Sequence, residues 1–266
     1  MVPDPTDSPS PLNLSPHPDA VVQAHAPHIP YAQTVPLNYA SGSYQPYESA
    51  FPRARAVVRW LWAAAAAHLL MAWPAVVSLN ERRAAARGAE VADAMAAFRL
   101  SVSISLLAGI PLLVATVFWL MWVHRTCRNL PALGAEGLRY SPGWAVAYYF
   151  IPILSLFRPL QVMRETWQAS DPRHTGGTSW SGIPVWPAVH WWWGLYLTSI
   201  ATSLVFVGFE LQEENLNGLV AAAWLDLLVS AMDVTVVILE ISIVRRLTLL
   251  QESRADTLGT LSPRSW

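Results

Sequence analysis

An apolar stretch near the end of the chain, DLLVSAMDVTVVILE, carries three acidic residues at intervals of seven, namely Asp226, Asp233 and Glu240. Seven residues make nearly two turns of an α-helix, so the three carboxyl groups share one face, which also carries Ser230. Carboxyl groups in a low-dielectric environment shift their pKa values toward neutrality and can exchange protons. Protonated acids can also hydrogen-bond neighbouring helices together. The pattern therefore indicates either a proton or cation path or a packing contact between helices.

The acids lie in the last of four apolar stretches, which cover residues 60–79, 100–123, 186–209 and 219–244. Each stretch reaches the ~20 residues that a helix needs to cross a hydrocarbon core about 30 Å thick. Only 13% of the residues are charged, which is about half the fraction in ordinary soluble domains. The sequence therefore predicts an all-α membrane protein in which residues 53–247 form a four-helix transmembrane domain.

The energetics of insertion predict which way the acidic face points. Fourteen Leu, Ile and Val residues of the fourth stretch gain roughly 4 to 8 kcal/mol on insertion, whereas three buried acids cost roughly 5 to 8 kcal/mol. Alone, this helix would barely insert, so its acids should face other helices or water rather than lipid. Residues that lie at the same depth in the membrane could pair, and this comparison predicts three pairs: Asp233 with His68, Glu240 with His190, and Asp226 with Arg99.

These groups allow two roles. As a column of acids and histidines they could carry protons or cations, and as paired groups they could fix the packing of the helices. We favour packing, because transport folds usually use broken helices and internal repeats that four short helices do not show. Haem ligation by His124 and His190 is a third, weaker interpretation, since two lone histidines on different helices are a poor signal.

Enzyme signatures are missing from the sequence. It has no glycine-rich phosphate loop, no HExxH and no GxSxG motif, and an intramembrane hydrolase would need a nucleophile paired with a base. Cys127 is the only cysteine, which excludes an internal disulfide and a cysteine-based metal cluster. We therefore predict a protein that is not an enzyme and that holds no cofactor or metal.

Arginine placement predicts the topology. All 17 basic residues are Arg, a bias typical of GC-rich bacteria, and 13 of them flank the spans on the side of the N-terminus. Cytoplasmic flanks retain basic residues, so we expect a multi-pass protein of a bacterial inner membrane with both termini in the cytoplasm. Tryptophans near the same ends are expected to form an interfacial aromatic belt, namely Trp60, Trp62, Trp119, Trp122, Trp186 and Trp191 to Trp193. The Pro-rich residues 1–52 predict a disordered cytoplasmic tail, and residues 248–266 a short cytoplasmic C-terminal tail.

A further apolar segment, residues 144–169, lies between the second and third predicted spans. Its apolar run WAVAYYFIPILSLF has only fourteen residues, contains Pro152 and ends at Arg158, so it is too short to cross a bilayer. Beyond it, Leu160, Met163 and Trp167 would form one apolar face of a short helix. The sequence predicts an interfacial or re-entrant helical element that dips into the membrane surface and then lies flat on it.

The same region is rich in arginine. A site for lipid head groups or for a docking partner could be built from Arg125, Arg128, Arg139, Arg158, Arg164 and Trp167. The alternative is that these basic residues only anchor the topology by holding the cytoplasmic face. Both interpretations stay open from the sequence.

Two segments of this region, RTCRNLPALGAEGLRYSPGWAV and FIPILSLFRPLQVMRETWQASDP, resemble an uncharacterised bacterial multi-pass membrane family, domain of unknown function 4328. The similarity extends from about Ala56 to Arg246. The resemblance implies several membrane spans behind a variable Pro-rich tail, and it implies no activity. Tyr148, Tyr149 and Ser155 depart from the family pattern, which favours Trp, Trp and Asn at these positions.

Together these features predict a non-enzymatic membrane scaffold or regulatory subunit that acts through membrane lipids, an unknown protein partner or a homo-oligomer. The alternative is a small proton- or ion-coupled permeation protein that uses the acids of the fourth helix. The net charge of −1 gives no basic field that would attract nucleic acid.

Overall fold

The computed structural model describes residues 46–86, 94–212 and 216–260, and the first 45 residues of the predicted tail lie outside this part of the chain. The described residues form six α-helices, and their only bridge between extended segments joins Ala135 to Gly177. The helices are α1 (Phe51–Ala86), α2 (Ala94–Asn129), α3 (Pro142–Ala147), α4 (Arg158–Ser170), α5 (Pro187–Gln212) and α6 (Leu216–Thr257). The predicted all-helical class is therefore confirmed for these residues.

Three helices of the described residues are long and apolar enough to cross a membrane, over Phe51–Trp73 of α1, Leu106–Asn129 of α2 and Trp224–Thr257 of α6. They expose large apolar side chains such as Leu69 and Leu106, whose exposed fractions are 63% and 71%. Such surfaces are unfavourable in water and typical of contact with lipid. The third predicted span, residues 186–209, falls in α5, where the side chains beyond residue 205 lie outside the described ones.

The four long helices pack side by side, with α1 between α2 and α6, and α6 also against α5. Contacts near both ends show that α1 and α6 are antiparallel, since Ser49 meets Glu252 and His68 meets Asp233. The α1 helix presents several alanines to its neighbours, and alanine lets helix backbones approach closely. Close packing of these small residues, together with the buried Val57 and Leu61, therefore holds α1 against its neighbours.

A cluster of tryptophans joins α2, α5 and α6. The ring centroid of Trp119 lies 5.3 Å from that of Trp122 and 5.4 Å from that of Trp192. The indole of Trp122 donates to Thr248 Oγ1 at 3.1 Å, and that of Trp119 donates to Tyr149 Oη at 3.1 Å. All three tryptophans are buried, so the predicted interfacial belt is wrong for them. Their large rings fill the space between helices, and each N–H finds a partner inside the protein.

Residues 130–186, which connect α2 to α5, pack against the end of α6 and form a folded unit that we call the cap. The apolar face of α4 turns into this unit, because Met163 and Trp167 are buried and Trp167 stacks on Trp186 at 5.6 Å. The expectation that α4 lies flat with this face on a membrane is therefore wrong. Its apolar side chains pack on α5 and α6 instead, which removes their surface from solvent.

The segment before α4 leaves its large apolar side chains exposed, in contrast to the buried apolar face of α4. Large apolar side chains stand exposed in α3 and in and beside the two 3₁₀ turns that follow it, at Trp144, Phe150, Ile153, Leu156 and Phe157. Their exposed fractions reach 74% at Ile153. The apolar surface that the sequence assigned to residues 144–169 is thus confined to the first half of that range.

The α6 helix continues to Thr257, far beyond the predicted end of its span at residue 244, so residues 248–257 are not a separate tail. Gln251 is fully buried and donates to Thr126 O at 2.9 Å and to Ser170 Oγ at 3.0 Å. Arg254 is buried as well and donates to Leu133 O at 2.8 Å. Both α2 and the cap supply acceptors for these polar residues, so the helix continues beyond its apolar part.

The last residues before α1 also pack against this end of the bundle, although they belong to the predicted disordered tail. The Glu48 carboxylate pairs with Arg125, and Glu48 O accepts from Asn129 Nδ2 at 2.9 Å. Ser49 Oγ donates to the Glu252 carboxylate, and Ala50 is fully buried. Within the described residues, the ordered chain therefore begins before residue 53.

Replacing Gln251 tests how the cap is held. Gln251→Leu should lower the free energy of unfolding by roughly 1–3 kcal/mol, because it removes buried hydrogen bonds to Thr126 O on α2 and to Ser170 Oγ on α4 and puts no polar group in their place. The measurement is thermal or denaturant unfolding in detergent, followed by tryptophan fluorescence. Ser253→Ala, on the exposed side of the same turn, is the control and should change little. Equal stability of the two variants would contradict this role of Gln251.

Candidate functional site

The predicted acidic face meets two neighbouring helices at its centre. Asp233 of α6 has one carboxylate oxygen 3.5 Å from His68 Nδ1 of α1, and the other accepts a hydrogen bond from Ser199 Oγ of α5. We call His68, Ser199 and Asp233 the polar cluster. The exposed fractions of the His68 and Asp233 side chains are 17% and 26%, and Ser199 is buried. The cluster joins three helices, and these helices shelter its polar groups from lipid.

The other acids of this face have different surroundings. Glu240 accepts from Trp192 Nε1 at 3.1 Å, whereas His190, its predicted partner, is exposed and makes no ion pair with it. Trp192 and His190 are two residues apart, so they point to different sides of α5. Ser230 is buried and Asp226 is half-buried on the same face, while the side chain of Arg99 lies outside the described ones.

Distance limits what this arrangement can do. The seven residues from Asp233 to Glu240 correspond to a rise of about 10 Å along a helix, which is more than three hydrogen-bond lengths. Protons could therefore pass between the two carboxyl groups only through water molecules that lie between them. Each acid instead has a donor from α5, so the geometry favours two separate contacts that fix helix packing.

The arginines predicted for a lipid or partner site divide into two groups. Arg128, Arg139 and Arg164 are exposed. Arg125 is buried against Glu48, and Arg158 Nη1 donates to Tyr140 Oη at 3.2 Å and to Gln161 Oε1 at 3.0 Å. Trp167 is buried under Trp186. Only the exposed group can meet a partner without rearrangement of the cap.

A buried acid that the sequence analysis missed positions two of the exposed arginines. The Glu165 carboxylate accepts from the backbone N–H groups of Arg139 at 3.0 Å and Tyr140 at 3.2 Å. Burial raises the pKa of Glu165, and the two backbone donors oppose this shift. Arg164 precedes Glu165 in α4, so this carboxylate holds the loop that carries Arg139 beside the helix that carries Arg164. In the sequence Glu165 looks like one more polar residue of an amphipathic helix.

The loop after α4 contains a second missed group. His174 Nδ1 accepts from Gly176 N at 3.0 Å and lies 3.2 Å from Arg254 Nη2, and the backbone O of His174 accepts from Arg254. Burial, followed by the nearby Arg254, lowers the pKa of His174, although Asp171 acts in the opposite direction. A hydrogen bond from Arg173 in turn lowers the pKa of Asp171. In the sequence, the run HTGG indicates this turn, and the backbone of Gly176 and Gly177 has positive φ angles in the structure.

The surroundings of His174 predict a pH-dependent stability. Because its pKa in the folded protein lies below the usual value of about 6.5, the folded state prefers the neutral ring. Its contribution is complete above about pH 6.5 and is lost as the pH falls below that value. We expect a larger drop in unfolding temperature between pH 7.5 and 5.5 for the wild type than for His174→Asn. An identical pH dependence in both proteins would contradict this role.

A comparison with protein-family models matches residues 83–249 to a family described as Domain of unknown function (DUF4328). The match begins near the end of α1, includes the polar residues Ser199 and Asp233, and runs through the cap into α6. Searches of curated proteins and of solved structures returned no match. Because the family model covers more than half of the chain, this protein belongs to the family Domain of unknown function (DUF4328).

Proposed function

We propose that the protein is a non-enzymatic scaffold of a bacterial cytoplasmic membrane that presents the cap to a partner protein. In this proposal α1, α2, α5 and α6 all cross the membrane, and both termini and the cap are cytoplasmic. The excess of arginine at the ends of the helices that adjoin the cap supports this orientation. Trp144, Phe150 and Ile153 are exposed and would rest in the membrane surface beside the bundle.

The observation that carries the proposal is the hydrogen bonding of Glu165. A buried carboxylate that binds two successive backbone N–H groups holds the loop at Arg139 in one position relative to α4. The exposed Arg139 and Arg164 are then presented on a rigid support, which reduces the entropy lost when a partner binds. Two fixed guanidinium groups favour an acidic segment of a partner, because each can bind a carboxylate with two parallel hydrogen bonds.

Photo-crosslinking in native membranes tests this proposal. A photoreactive residue at the exposed position Glu136 should label one partner protein, and Arg139→Glu/Arg164→Glu should reduce this labelling at least about tenfold, as loss of two charge-assisted contacts implies. Arg55→Glu/Arg59→Glu, which reverses two exposed charges on α1, is the control and should leave the labelling unchanged.

Two results would count against the scaffold. One is labelling of lipid alone, and the other is labelling of a protein that is insensitive to the charge reversal in the cap.

Permeation is the second candidate, and the polar cluster favours it. A histidine and an aspartate 3.5 Å apart, on helices long and apolar enough to cross a membrane, are groups that proton-coupled transporters use. Under this alternative the chain would have to assemble into an oligomer, because four helices alone offer little room for a pathway.

Asp233→Asn separates the two candidates. Asparagine keeps an oxygen that can accept from Ser199 but cannot ionise, so the bundle should assemble as the wild type does. We expect liposomes containing either protein to conduct protons no faster than empty liposomes, measured with an internal pH dye. Asp256→Asn, at an exposed position near the end of α6, is the control. Proton flux through the wild type that Asp233→Asn abolishes would replace the scaffold with a permeation function.

A further inference from the structure

A groove of about 680 Å³ lies between the first turns of α1 and the last part of α6. Its apolar lining includes Phe51, Ala54 and Val58 from α1 and Leu249 from α6. Its volume falls within the range of about 300–1,000 Å³ that is usual for small-molecule sites. The groove is separate from the polar cluster and from the exposed arginines of the cap.

Three arginines surround this groove. Arg55 and Arg59 lie one turn apart on α1, and Arg245 faces them from α6. All three are exposed, and within the described part of the chain none has a hydrogen bond or an ion pair. The lining contains no acidic residue. Three like charges around one groove repel one another, so an anion bound between them would relieve this repulsion.

An exposed apolar strip leads away from the arginines. Trp62 and Leu69 follow Arg55 at intervals of seven on α1, and Ile238 precedes Arg245 by seven on α6. These three side chains share the helix faces of the arginines and are exposed by 52%, 63% and 47%. The charged groove and the apolar strip therefore form one continuous surface, with the cations at one end.

The position of this surface relative to the spans identifies its surroundings. The groove residues belong to the first turns of the apolar segment Phe51–Trp73 and to the later part of Trp224–Thr257. In a bilayer, the ends of such segments lie at the level of the head groups, and the strip points toward the hydrocarbon core. An acidic protein segment could bind the arginines but would leave the apolar strip uncovered.

We propose that the groove binds an anionic glycerophospholipid. Its phosphate lies among Arg55, Arg59 and Arg245, and one acyl chain follows Val58, Trp62 and Leu69 down the bundle. Guanidinium groups suit this ligand, because their planar N–H donors bind phosphate oxygens in pairs. Basic pockets between membrane helices commonly hold anionic head groups in this way.

Native mass spectrometry of the full-length protein tests the assignment, with phosphatidylglycerol or phosphatidylcholine added to the detergent. The wild type should retain one phosphatidylglycerol in preference to phosphatidylcholine. Arg55→Gln/Arg59→Gln/Arg245→Gln should weaken this retention on the order of a hundredfold, since each arginine near an anionic surface contributes about fivefold. Arg128→Gln/Arg139→Gln/Arg164→Gln removes three exposed arginines from the cap and should retain the lipid.

A second variant tests the groove without changing its charge. Leu249→Trp fills part of the groove and should also reduce lipid retention, and the fold should tolerate it because Leu249 is exposed by 56%. The assignment would be overturned by equal retention in the wild type and the arginine variant, or by equal binding of phosphatidylcholine. Displacement of the lipid by millimolar inorganic phosphate would also overturn it and would indicate a site for free phosphate. None of these outcomes bears on the partner proposed for the cap.

Discussion

The guanidinium group of Arg254 is buried where α6 meets the cap, and it donates to backbone oxygens of Leu133 and His174. A buried cation is costly unless acceptors surround it, and here the acceptors come from two separate loops. Gln251, nearly one turn earlier, joins α2 to α4 in the same way. The register between α6 and the cap is therefore determined by polar groups.

The same rule applies deeper in the bundle, where Asp233 and Glu240 each receive a hydrogen bond from α5. Neither acid could face acyl chains, so these contacts determine the rotation of α6 about its own axis. Once α6 is rotated in this way, its opposite side exposes Leu228 and Ile238. The positions of the apolar outer surface and of the acids thus follow from one requirement, that every carboxyl group has a donor.

Periodicity and depth predicted the parts of this fold that depend on single helices. The seven-residue spacing placed the acids on one face, because this follows from the geometry of a single helix. Equal depth placed Asp233 level with His68, and these two side chains face each other in the structure. The extension of α6 and the inward face of α4 could not be predicted in this way. Arg254 and Glu165 look solvent-facing in the sequence, and their partners are backbone groups whose positions depend on the tertiary fold. The wrong pairing of Glu240 with His190 has a similar cause, since depth does not specify which side of α5 faces α6.

Arginine serves two purposes in this chain, and burial distinguishes them. Arg125, Arg158 and Arg254 have internal acceptors and act as structural cross-links. An internal acceptor stabilises the fold only if the guanidinium remains charged in a low dielectric, and arginine does so because its pKa is so high. Five exposed arginines have the same chemistry but no hydrogen-bonded internal acceptor among the described residues, and they lie on two surfaces: Arg139 and Arg164 on the cap, and Arg55, Arg59 and Arg245 at the groove between α1 and α6. Their charge lowers the energy of the protein only when an anion from outside approaches, so recognition by this protein should be concentrated on these two surfaces.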